Sequence, residues 1–270
     1  MSTDGSRRCG ACGVQNVIEA RYCRGCGTML PAPADGGVTG ADPPPPPPQP
    51  SAVPSHVDIA QHAWREVRGV AWLFLVLVAM VVTAFVAEKL AVPETTVDLV
   101  LAGAVALVSL VLAASAWRDI APLLATAGGL RGLFAAILGF GALLGFWALY
   151  FPICKWLGFP LVRATDAHVA AGWPSWVSYL LVSVAPAVTE ELMFRGYVMG
   201  RLSRMLTPNE VLLVQAALFS VLHFGIVIFP SHFVIGVALG LVRRLTGSLY
   251  PGMAVHAAWN GRLVWLELAA

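Results

Sequence analysis

The chain has 270 residues, 58% of them hydrophobic and only 12% charged, with a formal net charge of +2. That balance, with a mean hydropathy of +0.75, excludes an ordinary water-soluble domain. Apolar runs near 20 residues recur, which predicts an all-α polytopic membrane protein of about seven to eight transmembrane helices. No apolar run follows Arg7 and Arg8, so the N-terminus does not read as a secretory signal.

Four of the five cysteines fall in the first 26 residues, as Cys9-x2-Cys12 and Cys23-x2-Cys26. Gly13 and Gly27 follow the two pairs and let the backbone fold back beneath a metal. Four thiolates suit tetrahedral Zn²⁺, so residues 1–30 read as a zinc ribbon with a structural zinc. Two redox pairs are the alternative, but no thioredoxin-like βαβ pattern surrounds them. The stretch resembles the small zinc-ribbon modules at the N-termini of many bacterial membrane proteins. A unit this small has little core, so the metal supplies most of its folding free energy. Arg7, Arg8, Arg21 and Arg24 lie here without an aromatic or basic helix, and no nucleic acid is expected as a partner. A substrate- or protein-binding arm is the expected role. Residues 31–60 read as a Pro/Gly-rich linker. The run Pro43 to Pro48 predicts an extended polyproline spacer at ~3.1 Å per residue.

Residues 61–270 form the expected transmembrane domain. Trp64, Arg65 and Arg68 mark an interface. Spans are expected at 69–87, 97–117, 132–153, 176–199, 207–229, 232–242 and from 249 to the end. Residues 119–131 read as a loop or surface helix, and 154–175 as a longer loop. Gly141-x3-Gly145 suggests a close helix-packing face. Cys154 reads as a packing thiol, His56, His62 and His168 as surface residues, and His232 as interfacial at an outer turn. Thr207-Pro208-Asn209-Glu210 carries a helix-start signature. With the N-terminus inside, Arg65, Arg68, Arg118, Arg131, Arg201, Arg204, Arg243 and Arg244 face the cytosol against Lys89, Lys155 and Arg163 outside. This orientation in a bacterial cell membrane also keeps the four thiols in a reducing compartment.

Within the span at 176–199 lie Glu190, Glu191 and Arg195. A charge at mid-bilayer costs ~2.5–3.5 kcal/mol on insertion scales, so three in six residues imply an intramembrane polar cavity. Phe219-x3-His223 and His256-x3-Asn260 each place two residues on one helix face. A carboxylate, two histidines and an asparagine are what water activation requires. Counting along the helices puts Glu190 and His256 within ~10 Å of the cytosolic side. His223 fits that level only if its helix projects two turns into the cytosol. Glu191 and Arg195 are four apart and can pair, leaving Glu190 free. Pro186 is expected to kink its helix and free a backbone carbonyl.

Glu190-Glu191-x3-Arg195, Phe219-x3-His223 and His256-x3-Asn260 match in order and spacing the three motifs of the CPBP family. That family comprises the CAAX prenyl endopeptidases and the bacteriocin-processing or Abi-type membrane proteases. The resemblance extends over roughly residues 60–270. It implies a membrane-embedded peptidase whose partners are lipids and a peptide or membrane-protein substrate. In that scheme Glu190 and His223 act on the water, His256 and Asn260 on the tetrahedral intermediate. Glu191 and Arg195 hold the helix, and Phe219 packs one turn from His223. A catalytic zinc on Glu190, His223 and His256 and a metal-free, glutamate-dependent mechanism both remain open. A bacteriocin-immunity or scaffold protein that keeps the fold without the chemistry is the non-enzymatic alternative.

Overall fold

The computed structural model describes residues 6–17, 20, 22–31, 56–159, 163–225 and 227–269. The hexaproline, Arg21 and the side chains of His56 and His62 lie outside the described residues. Contacts divide the chain into two units, Met1–Ala60 and Gln61–Ala270.

The first unit is built on two similar knuckles. β1 (Ser6–Arg8) pairs antiparallel with β2 (Gln15–Val17), with Ser6 opposite Val17. Within the first knuckle Gly13 N–H donates to Cys9 O, and in the second Gly27 N–H donates to Cys23 O. Both glycines have φ of 74°, in the left-handed region where a side chain would be strained. The Arg7 guanidinium donates to the carbonyls of Ala20 and Pro31 and so ties the two halves together. Cys9, Cys23 and Leu30 form its small buried centre.

The second unit is all helix. α1 (His56–Lys89), α2 (Glu94–Ser115) and α4 (Gly129–Trp156) are long and apolar, with α3 (Trp117–Leu124) between the last two. After the one-turn α5 (Asp166–Ala170) comes α6, a continuous helix over Ser175–Leu202. α7 (Pro208–Val221), α8 (Ile228–Thr246) and α9 (Tyr250–Leu268) complete the bundle. Five helices are long and apolar enough to cross a membrane: α1, α2, α4, α6 and α8. The expected seven to eight spans are therefore not all of that kind among the described residues. α7 has 14 residues, about 21 Å at 1.5 Å each, and α9 is made polar by His256, Asn260 and Arg262.

The turn between α7 and α8 falls at 222–227, not near residue 230 as the sequence suggests. Pro230 lies in the first turn of α8, where a missing N–H breaks no helical bond. The chain instead reverses where Phe224 takes a φ of 40°. At the start of α7 the expected capping box is present between Thr207 and Glu210.

Close helix contact is made by glycines other than the expected pair. A Cβ at Gly141 or Gly145 would meet nothing within 4 Å. At Gly236 it would lie 2.8 Å from Ala216 Cα, and at Gly139 2.9 Å from Val242. Gly236 thus brings α8 onto α7, and Gly139 brings α4 onto α8.

Polar contacts define two ends of the bundle. At one, Glu66 accepts from Arg201 and Arg204 at 3.1 and 3.0 Å, and Asp119 from Arg204 at 2.5 Å. Leu249 N–H donates to Leu123 O, and Ser248 Oγ to Thr126 O, at this same end. At the other, His168 bonds Ser178 Oγ through Nδ1 at 3.0 Å and Asp98 through Nε2 at 3.2 Å, and it stacks on Trp173. Glu267 accepts from Thr165 N and Oγ beside it. His168 is therefore not a surface residue: it is 1% exposed, and Asp98 of α2 and Ser178 of α6 satisfy both its ring nitrogens. The segment 119–131 likewise docks into the bundle through Ile120, which is fully buried. Cys154 is buried as expected.

Candidate active site

The site grows from α6, which departs twice from α-helical geometry. Tyr179–Val184 and Glu191–Val198 are π-helical, a local widening that recurs at functional positions. Pro186 lies just beyond the first π segment. Lacking an N–H, it leaves the carbonyl of Val182 without its usual donor. Asn260 Nδ2 fills that role, donating to Val182 O at 3.0 Å. Ser183 Oγ donates to Ala257 O at 2.8 Å beside it. The freed carbonyl is therefore what fixes α9 against α6.

Glu191 and Arg195 pair as expected. Both are fully buried, and Arg195 Nη1 donates to Glu191 Oε1 at 2.8 Å. The same oxygen accepts from His256 Nδ1 at 3.1 Å. Arg195 Nη2 continues to Gly236 O at 3.3 Å, a carbonyl that also takes Gln215 Nε2 at 2.8 Å. The guanidinium lies 4.6 Å over the Phe219 ring. Glu191 Oε2 rests against the backbone of α9, where a Cβ at Gly252 would come within 3.0 Å of it. One ion pair thus joins α6, α7, α8 and α9.

Glu190 has a different environment. Its side chain is 21% exposed, and Oε2 stands 3.8 Å from His256 Nε2. That oxygen is buried and accepts no hydrogen bond from the described groups. His223 sits one residue past the C-cap of α7, half-buried, with its Nδ1 on Phe219 O at 2.9 Å. A carbonyl and a carboxylate only accept, so both His223 and His256 carry a proton on Nδ1. The Phe219 ring packs beside both histidines. Its centroid is 4.7 Å from His223, 6.2 Å from His256 and 5.2 Å from Phe194.

The structure thus gathers Glu190, Glu191, Arg195, Phe219, His223, His256 and Asn260 from three helices and one turn. Asn260 already donates to Val182 and has its second amide hydrogen left for another acceptor. Four further residues belong to the site. Gln215 lies one turn before Phe219 on the same face, a spacing visible in the sequence. Gly236 and Gly252 act through a carbonyl and a missing side chain, which no motif announces. His232 is not at an outer interface: its ring centroid lies 3.9 Å from that of His223. The misplaced turn hid it, since starting α8 at Ile228 swings residue 232 back toward α7.

Two metal sets were expected, and they fare differently. The Sγ atoms of Cys9, Cys12, Cys23 and Cys26 all lie within 4.8 Å of one another. Cys9 to Cys26 is 3.7 Å and Cys12 to Cys23 3.5 Å. Zinc–sulfur bonds of about 2.3 Å in a tetrahedron require sulfurs about 3.8 Å apart, so the four fit such an ion. Burial opposes ionisation of Cys23, but the N–H groups of Gly25 and Cys26 and the Asn16 amide outweigh it and bring the thiol down to about 6. Glu190, His223 and His256 do not converge: among the described residues only the four cysteines make a group of three or more donors within that distance. His223 hangs beyond α7 and packs on His232, so a catalytic zinc on that set does not fit.

Residues 172–262 match the family model described as type II CAAX prenyl endopeptidase Rce1-like. The match begins just before α6 and closes after Asn260, so it encloses every residue of the site and leaves α1–α4 outside. No curated protein and no solved structure matches the chain significantly.

Proposed function

We propose that this integral membrane protein is an endopeptidase that hydrolyses peptide bonds of membrane-associated substrates near the cytosolic face. The observation that carries the reading is the division of labour between adjacent carboxylates. Glu191 is fully buried, with Oε1 held by Arg195 and His256 and Oε2 closed off against Gly252, while Glu190 is partly exposed and keeps a buried Oε2 without a donor. Such an oxygen is suited to accept from a water and act as general base.

Glu190 takes a proton from the water, whose oxygen forms a bond to the scissile carbonyl carbon. The Nε2 lone pair of His223 accepts the water's other hydrogen bond and orients it. The carbonyl oxygen becomes an oxyanion, facing the second Asn260 N–H and His256 Nε2. His256 donates there only in its doubly protonated form, with Glu191 as counter-ion on Nδ1. Such donors typically contribute ~2.7–4 kcal/mol each. As the C–N bond breaks, Glu190 returns its proton to the leaving amine. All steps use side chains of this chain, and atoms balance with one water consumed per bond.

The match over 172–262 supports peptidase chemistry. A cytosolic N-terminus, a bacterial membrane and a substrate-binding role for the ribbon belong to the same proposal, on the arginine distribution and the reduced thiols. The test compares peptide termini across the membrane proteome of the native host carrying the wild type or Glu190→Gln. New C-termini that vanish in the variant are expected and would identify the substrates. Identical termini, with both proteins folded, would favour the immunity or scaffold reading.

A further inference from the structure

His232 has no role in the hydrolysis described above, yet it is the group packed most tightly on His223. Aromatic pairs usually sit with centroids 4.5–7 Å apart. These two imidazoles are 3.9 Å apart, with planes tilted by 30°. On its other side the His223 ring meets Phe219 at 4.7 Å and 55°. His223 is thus held between two rings, one from α7 and one from α8.

The second ring is itself fixed. His232 Nδ1 donates to Ile228 O at 3.1 Å, with Ser231 Oγ at 3.3 Å as a weaker second acceptor. Ser231 Oγ donates to the same carbonyl at 2.8 Å. The first turn of α8 therefore sets the plane of the His232 ring before any contact with His223. His223 needs such a wall. It lies in the turn at 222–227, next to Phe224 with its φ of 40°, beyond the last turn of α7, so no following helical turn covers its other face. Its single hydrogen bond, to Phe219 O, selects the Nδ1-protonated tautomer only while the ring is held in line with that carbonyl.

We propose that His232 is a positioning residue for His223. Its flat face pins the His223 ring so that Nε2, the lone pair used on the water, points steadily into the site. The inference rests on the hydrolytic reading for its consequence, but not for its geometry. The property required of residue 232 is a planar ring, so phenylalanine preserves it and alanine does not.

Two readouts on the full-length protein in lipid nanodiscs test this. The first is ¹⁵N NMR of the histidine side chains, with His223 assigned by its loss in His223→Gln. The wild type and His232→Phe are expected to show one Nδ1-protonated form of His223, and His232→Ala an average of two tautomers. The second is hydrolysis of a substrate found by the terminus comparison. His232→Ala is expected to lower kcat by about 10- to 100-fold with KM little changed, as for a misplaced catalytic group. His232→Phe is expected to recover kcat to within about 3-fold of wild type. A single His223 tautomer in His232→Ala overturns the proposal, as does a His232→Phe enzyme as slow as His232→Ala. If the wild type cleaves nothing while the tautomers behave as stated, the hydrolytic reading fails and the positioning of His223 stands.

Discussion

Adjacent residues on a helix point about 100° apart, and α6 uses that angle to separate two identical side chains. Glu191 turns inward to Arg195 and His256. Glu190 turns to the partly open side, where its nearest ring nitrogen is 3.8 Å away. Glu190→Gln keeps the shape and removes only the base. It is expected to lower kcat by at least ~10³-fold, within the range of general-base catalysis, while thermal unfolding in detergent stays at the wild-type midpoint. Glu191→Ala leaves a buried guanidinium without its counter-charge. It is expected to destabilise the bundle by ~3–5 kcal/mol, the usual result of removing one partner of a buried pair, read as a fall in the unfolding midpoint. Loss of activity in Glu191→Ala with unchanged stability would contradict this assignment.

Helices meet here through missing side chains as much as through present ones. Gly236 lets α8 close on α7 and offers the carbonyl shared by Arg195 and Gln215. Gly236→Ala puts a methyl 2.8 Å from the Ala216 backbone and is expected to cost ~1–3 kcal/mol, as overpacking does. Gly141→Ala meets nothing and is expected to be neutral or slightly stabilising; parallel unfolding curves of the two variants compare them directly. The long helices α1, α2 and α4 were legible because continuous apolar sequence has no other stable use. The α7–α8 turn was not, because Pro230 looks like a breaker and is harmless in a first helical turn. Gly141-x3-Gly145 misled for a related reason: spacing alone does not say which face of a helix has a neighbour.

For the whole molecule, the polar cluster was more legible than the architecture around it. Polar groups are costly in apolar helices, so the few present stand out, and the Glu, His and Asn motifs led to one place. What supports them was hidden, since Arg195, Gln215 and Asn260 end on backbone carbonyls that every sequence contains. Glu66 and Asp119 were hidden too, because their partners Arg201 and Arg204 are some 85 to 138 residues away. The four cysteines were the opposite case, a local pattern with a local result. Chelation of the purified protein is expected to release one zinc per chain, measured by mass spectrometry of the metal, and to unfold the ribbon. The kcat of the chelated full-length protein is expected to persist at the wild-type value, since Glu190, His223 and His256 do not converge on an ion. Acidification is expected to weaken zinc binding, because each thiol must lose its proton to bind the metal.

The short α7 has a consequence for the surrounding lipid. A helix of about 21 Å cannot fill a hydrocarbon layer of about 30 Å, and the turn that ends it carries His223. Acyl chains beside the α7–α8 hairpin must shorten or tilt to follow it, a mismatch costing fractions of a kcal/mol per Å. The bilayer is then expected to be thinnest beside the α7–α8 turn, where the proposed water-activating groups lie, which would bring a substrate segment arriving there nearest to bulk water. Turnover in vesicles of defined phosphatidylcholines is accordingly expected to fall as the acyl chains lengthen from 14 to 22 carbons, because thickening works against the very dimple through which the scissile bond becomes wet.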